Sequence, residues 1–372
     1  MNDKRENILF ILPSLEGGGS QRVMLTIMTY MDRKKFNPKL ALVKKEGEFL
    51  SQVPKDIPIY DLNAKQLRYA IFKIIKLIKS ENPDIVFSTL GHLNLLLALL
   101  KPILPKKTLF IARESNTVSI QNLSEKYPKL FDWLFKNVYK NFDLIITQSH
   151  FMKDDLVNNY DIDEKKIKVI YNPLASDKIE KLANEKIKPS TLFDTTKINL
   201  LSVGRIDRQK GYDLLLESFG KLDENYALTI LGEGEMKKEL EDFVKERKLS
   251  KRVFFKGFSQ NPYIYLKHAD LFLLSSRYEG FANVVLEANY CELPVVAFKA
   301  PGVNDEIVKE GFNGFLVENF DTDLFAQTIE KASKYRFDKK KIKKHTEDRY
   351  DGVKIVKEYE NIVKEAHKKK SL

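Results

Sequence analysis

The chain has 372 residues, enough for two domains of ordinary size, and its 43% hydrophobic and 31% charged content excludes a disordered or fibrous protein. A single cysteine, Cys291, excludes a disulfide framework and fits a reducing compartment, where it reads as a small core residue. The formal charge of +11 is uneven, with 31 Lys and Arg against 22 Asp and Glu in residues 1–190 and 32 against 30 in the rest, so the first half is expected to face something anionic.

Residues 2–6 (Asn-Asp-Lys-Arg-Glu) run straight into a strand-like stretch, so no secretory leader is expected. The longest apolar stretch, residues 93–100, is too short to span a bilayer, and the expected location is the cytoplasm. Residues 7–13 read as a buried strand, followed by Gly17-Gly18-Gly19-Ser20-Gln21 and an amphipathic helix from Arg22. Strand, glycine-rich turn and helix open a mononucleotide-type unit. Gly18 and Gly19 let a ligand approach the backbone, and Ser20 is placed to cap the helix. The spacing is not G-x-G-x-x-G and no acidic residue follows where it should, which argues against a dinucleotide-dependent dehydrogenase.

Further strands are expected at 39–43, 57–60, 84–88, 108–112, 143–147 and 168–171, alternating with helices at 66–79, 93–100, 128–139 and 151–160. That alternation predicts a mostly parallel sheet with helices on both faces. Ligands bind such sheets at the carboxyl ends of the strands, where residues 17–21 and Arg113-Glu114-Ser115-Asn116 would lie. Residues 184–197 read as a linker, after which the pattern restarts with strands at 198–203, 227–231, 253–256, 271–274, 295–298 and 315–317. A helix at 324–334 and a long charged helix from about Ile342 close the chain. The fold class is therefore α/β, with two doubly wound domains at 1–185 and 186–345, and residues 346–372 packing back toward the first.

In the second domain the strand ends carry Arg205 and Lys210, Gly257-Phe258, and Glu279 followed by Glu287. Arg205 and Lys210 are suited to a diphosphate, one as a planar fork and one as a point charge. The turn 278–281 leads into a helix with Asn283 at its expected N-cap, whose start offers the N–H groups of Ala282, Asn283 and Val284 to phosphate. A carboxylate at the mouth of such a seat suits sugar hydroxyls better than phosphate. Gly257-Phe258 offers bare backbone and a ring beside a planar base. Each element alone also fits a solvated charge or a core ring.

Together these residues resemble glycosyltransferase family 4. The matching stretches are Gly204-Arg205 with Lys210-Gly211, Leu231-Gly232-Glu233-Gly234, Asn261-Pro262-Tyr263, and Ser275-Ser276-Arg277-Tyr278-Glu279-Gly280-Phe281 with Glu287. Gly18-Gly19-Ser20-Gln21-Arg22-Val23 is similar to the Gly-Gly-Ala-Glu-Arg-Val that opens many members, with Gln21 in place of Glu. The resemblance implies the GT-B fold, two Rossmann-like domains facing across a cleft, and retaining, metal-independent transfer from a nucleotide sugar. It implies that Arg205 and Lys210 stabilise the leaving diphosphate, that Glu279 holds the transferred sugar and Glu287 the ribose, and that Gly257-Phe258 takes the base. Phe281, Ala282, Asn283 and Val284 would then contact phosphate and sugar through their backbone. Many members place a histidine after the fifth strand. This chain has Arg113 and Glu114 there, assigned to the acceptor side. The acceptor implied is lipid-linked or polysaccharide, as in O-antigen, capsule or lipopolysaccharide assembly. A nucleotide-sugar 2-epimerase and a non-catalytic nucleotide-sugar-binding protein are the other readings.

No metal or other cofactor is expected. Asp161-Ile162-Asp163 and Asp321-Thr322-Asp323 read as solvated turns, and the five histidines show no ligand spacing. The tail Lys368-Lys369-Lys370 reads as a solvated end rather than a nucleic-acid arm. The basic first half is expected to rest peripherally on an anionic membrane, the cytoplasmic face of the inner membrane. Either helix 66–79 or the aromatic and basic stretch 126–140 could make that contact.

Overall fold

A computed structural model describes residues 5–16 and 18–371. Seven strands form the first sheet: β1 (Glu6–Leu12), β2 (Phe36–Leu42), β3 (Ile59–Asp61), β4 (Ile85–Thr89), β5 (Leu109–Arg113), β6 (Leu144–Thr147) and β7 (Ile167–Val169). They lie in the order β3-β2-β1-β4-β5-β6-β7, every pair parallel. The second sheet holds β8 (Ile198–Val203), β9 (Tyr226–Leu231), β10 (Val253–Gly257), β11 (Leu271–Leu274), β12 (Val295–Phe298) and β13 (Gly314–Val317). Its order is β10-β9-β8-β11-β12-β13, again all parallel. In each sheet the strand order reverses once, between β1 and β4 and between β8 and β11.

Parallel strands covered on both faces read as near-continuous apolar runs, and alternate residues enter different cores. In β1, Ile8, Phe10 and Leu12 pack with Val23, Met24 and Ile27 of the helix Gly19–Tyr30 and with Ile355, Val356 and Tyr359 of the helix Gly352–Ser371. Leu9 and Ile11 enter the opposite core with Ala70, Ile74 and Ile78 of the helix Leu67–Glu81.

The chain divides into a unit of residues 1–173 with 352–372 and a unit of residues 174–351. The first boundary thus falls before the expected linker, because the helix Ser176–Ala183 buries Ile179 and Ala183 and receives a bond from Asn261 Nδ2 to the Leu182 carbonyl at 2.9 Å. The long helix expected from Ile342 onward is two helices, Lys339–Tyr350 and Gly352–Ser371. Asp351, with φ −51° and ψ 128°, breaks them where Leu174 N–H bonds the Tyr350 carbonyl. The second of the two belongs with the first unit. Among the described residues no helix is long and apolar enough to cross a membrane. Cys291 is buried, which raises its thiol to about 12.

Candidate functional site

The loop after β8 is tied down before it reaches its basic residues. Ile206 is buried and its N–H bonds the Glu233 carbonyl after β9 at 2.9 Å. Asp207 then caps a single tight turn, Arg208–Lys210, its carboxylate accepting from the Lys210 N–H at 3.1 Å. Gly211 follows at φ +61°, where a Cβ would stand 2.2 Å from the Ser275 carbonyl oxygen, so only glycine allows the two loops to meet. Lys210 Nζ thereby reaches Glu279 Oε1 at 2.6 Å, and the Ser276 hydroxyl donates to the same oxygen at 2.6 Å. Glu279 is buried and Lys210 mostly so, so this pair is shielded from solvent. Arg205 stands apart. Its side chain is 69% exposed and meets Asp207 at 3.2 Å.

The loop after β11 is held as firmly. Arg277 forms a fork on Asp213, at 2.8 and 2.6 Å, and also donates to the Arg208 carbonyl at 3.0 Å. Its N–H bonds the Gln209 carbonyl at 2.8 Å, and Gln209 Nε2 returns a bond to the Tyr278 carbonyl at 3.0 Å. The Ser275 hydroxyl donates to the Lys210 carbonyl at 2.8 Å. Glu279 N–H bonds the Pro301 carbonyl, and Gly302 lies at φ +75° with room for no Cβ, the Glu279 carbonyl oxygen being 1.9 Å from its ideal place. Two loops and one turn thus fix where Glu279 stands.

The helix that follows is Asn283–Tyr290. Ala282, not Asn283, occupies its N-cap, and no side chain caps it. Asn283 N–H bonds the Phe281 carbonyl at 2.8 Å, so one of the three N–H groups expected to face a ligand is occupied. Glu287 is buried within the helix with the Tyr263 hydroxyl 3.4 Å away, and Val284 is half-buried. Gly257 carbonyl accepts from Gly232 N–H at 2.8 Å, and Phe258 beside it is 48% exposed, a ring left on the surface rather than in the core.

In the first unit Gly17 lies outside the described residues. Gly18 is extended, the helix begins at Gly19, and no side chain caps it, so Ser20 sits inside the helix instead of capping it. Arg113 and Glu114, expected to face an acceptor, are buried instead. Arg113 donates to Thr89 Oγ1 at 3.3 Å and to Asn172 Oδ1, while its Nε has no partner. Glu114 Oε1 accepts from Asn94 Nδ2 at 2.9 Å, Gln148 donates to its carbonyl, and Oε2 has no partner. Burial pushes the Glu114 carboxyl up to about 7, against the pull of Asn94 and of the Arg113 charge.

Both D-x-D stretches are structural turns. Asp163 accepts from Lys165 N–H, Asp161 pairs with Lys136, and Asp321 caps the helix Thr322–Lys334. Among the described residues no three His, Cys, Asp or Glu side chains group as metal ligands would. Ser276, Arg277 and Asp213 are the site members that the sequence reading did not assign. The first two lay inside the quoted motif, but Asp213 is 64 positions from its partner and carries no local signal.

Residues 17–178 match the family described as glycosyltransferase family 4, and residues 183–349 match that described as glycosyl transferases group 1. A Campylobacter jejuni protein, the N-acetylgalactosamine-N,N'-diacetylbacillosaminyl-diphospho-undecaprenol 4-alpha-N-acetylgalactosaminyltransferase, is 31% identical over 82% of this chain and 84% of its own. A second from the same organism, a GalNAc-alpha-(1->4)-GalNAc-alpha-(1->3)-diNAcBac-PP-undecaprenol alpha-1,4-N-acetyl-D-galactosaminyltransferase, is 26% identical over 87% and 88%. Among solved structures, Anabaena HepE in complex with UDP-glucose superposes with a TM-score of 0.81 at 20% identity, covering 97% of this chain and 100% of that one. The fold is GT-B.

Proposed function

Because the chain belongs to glycosyltransferase family 4, we propose that it moves a hexose or N-acetylhexosamine from a UDP-sugar to a lipid-linked or polysaccharide acceptor, with retention and without a metal. The contact of Lys210 with Glu279 Oε1, an oxygen the Ser276 hydroxyl also bonds, set beside a helix start that no side chain caps, is the observation that carries this reading. An ammonium has three donors, of which Glu279 takes one, leaving two for phosphate oxygens. Glu279 Oε1 is filled by Lys210 and Ser276, which leaves Oε2 for a sugar hydroxyl. Arg205 adds an exposed fork for the diphosphate. The Campylobacter relatives, whose names give undecaprenol-diphosphate acceptors and N-acetylgalactosamine transfer, support a lipid-borne acceptor used at the cytoplasmic membrane surface in bacterial surface-glycan assembly.

The reaction we assign is front-face transfer. The acceptor hydroxyl bonds the anomeric carbon on the side the diphosphate leaves, and a donor phosphate oxygen takes its proton. The protein then contributes position and fixed charge rather than a base of its own.

Arg205→Ala is the cleanest test, because its exposed pair with Asp207 is worth at most about 1 kcal/mol of stability. Turnover is expected to fall by roughly a hundredfold or more with an unchanged melting temperature. Lys210→Ala should lose as much turnover and also stability, on the order of 3 kcal/mol, because it strands the buried Glu279 carboxylate. Near-wild-type turnover in both would overturn the assignment. Acceptor-dependent UDP release from UDP-N-acetylhexosamine supports transfer, whereas acceptor-free conversion to a 2-epimer would replace it.

A further inference from the structure

Three helices, Leu67–Glu81, Gly91–Leu100 and Pro128–Val138, cover the same face of the first sheet, for Ile74 and Ile78, Leu93 and Leu97, and Phe135 all enter one core. Away from that core these helices, and residues 118–127 before the last of them, leave large apolar side chains in water. Phe72 is 84% exposed and Trp133 59%, and Tyr69, Leu123, Tyr127 and Leu130 are exposed as well.

The helix Pro128–Val138 shows how the charges are sorted. Its one acid, Asp132, is turned toward the protein, accepting from Asn122 Nδ2 and from the Tyr160 hydroxyl at 2.8 Å each. Lys129, Leu130, Trp133 and Lys136 are exposed at spacings that share one stripe, extended by Lys126 and Tyr127 in the preceding turn. Lys126 lies 5.5 Å from the Tyr127 ring, and Lys136 meets the exposed Asp161 at 2.7 Å. On the helix Leu67–Glu81, Phe72 is flanked one turn either way by the exposed Arg68 and Lys76.

Single rings separated by cations do not make the continuous dry patch that a rigid protein partner needs at its core. They suit a fluid interface, where each ring enters the headgroup boundary separately and each cation finds a lipid phosphate. We propose that this helical face of the first unit seats on an anionic bilayer, with Trp133 and Leu130 entering the headgroup region and Lys126 and Lys129 on lipid phosphates. The proposal rests on the lipid-borne acceptor argued above and names the surface that would meet its membrane.

Trp133 is the only tryptophan in the chain, so its emission reports on this face alone. The 372-residue chain, without donor or acceptor, is titrated with phosphatidylcholine vesicles with and without phosphatidylglycerol. A blue shift confined to the anionic vesicles, quenched by brominated acyl chains, is the expected result. Lys126→Glu with Lys129→Glu should weaken partitioning by about tenfold or more at an unchanged melting temperature. Unchanged emission with anionic vesicles overturns the proposal, and so does an equal shift on neutral ones. A shift that follows protein concentration without lipid would put a second copy on this face instead. Failure here with acceptor-dependent UDP release intact would leave the transfer reading standing.

Discussion

The carboxyl of Glu114 keeps one oxygen on the Asn94 amide and buries the other without a partner, an arrangement that favours the protonated acid. Its folded-state value of about 7 lies above the ordinary 4.5, so the unfolded chain ionises first as pH rises. Below 4.5 both states hold the proton and the contribution to stability is complete. Between 4.5 and about 7 it is lost, by roughly 3 kcal/mol in total. Glu114→Gln keeps the acceptor for Asn94 and removes this dependence. The variant should match the wild type in urea unfolding at pH 4 and exceed it at pH 8. The sequence placed Arg113 and Glu114 at a strand end, where they are. It did not show that they are covered, because Asn94, Gln148 and Asn172 reach them from 20, 34 and 59 positions away.

At the scale of elements the strands were legible because a parallel strand buried on both faces is a near-continuous apolar run, as in β11 and β12. The loops were legible as motifs but not as one body. Arg277 joins the segment carrying Lys210 to the one carrying Glu279 through Asp213 and the Arg208 carbonyl. Arg277→Ala should therefore lower kcat/KM for the donor by roughly tenfold to a hundredfold, since small displacements of positioning groups are costly. Arg277→Lys should not rescue it, because a single ammonium cannot span both Asp213 oxygens and the carbonyl. Steady-state kinetics with UDP-sugar varied, alongside a thermal melt, separates lost positioning from lost folding.

Across the whole molecule the chain leaves its first unit at Pro173 and returns to it at Gly352. The returning helix supplies Ile355, Val356, Tyr359 and Val363 to the core under β1. Ile355→Ala should cost about 3 kcal/mol, read as a shift in urea unfolding followed by Trp133 fluorescence in the same unit. Removing residues 352–372 should leave the first unit sensitive to protease while the second resists. What the amino-acid order determined by itself is whatever depends on near neighbours: two runs of alternating strand and helix, the strand-end motifs, and a charge excess in the first half. Tertiary structure decided which polar groups are buried, where the last helix packs, and which rings stay in water. Burial and pairing are set by residues distant in the chain, and no local pattern carries that information.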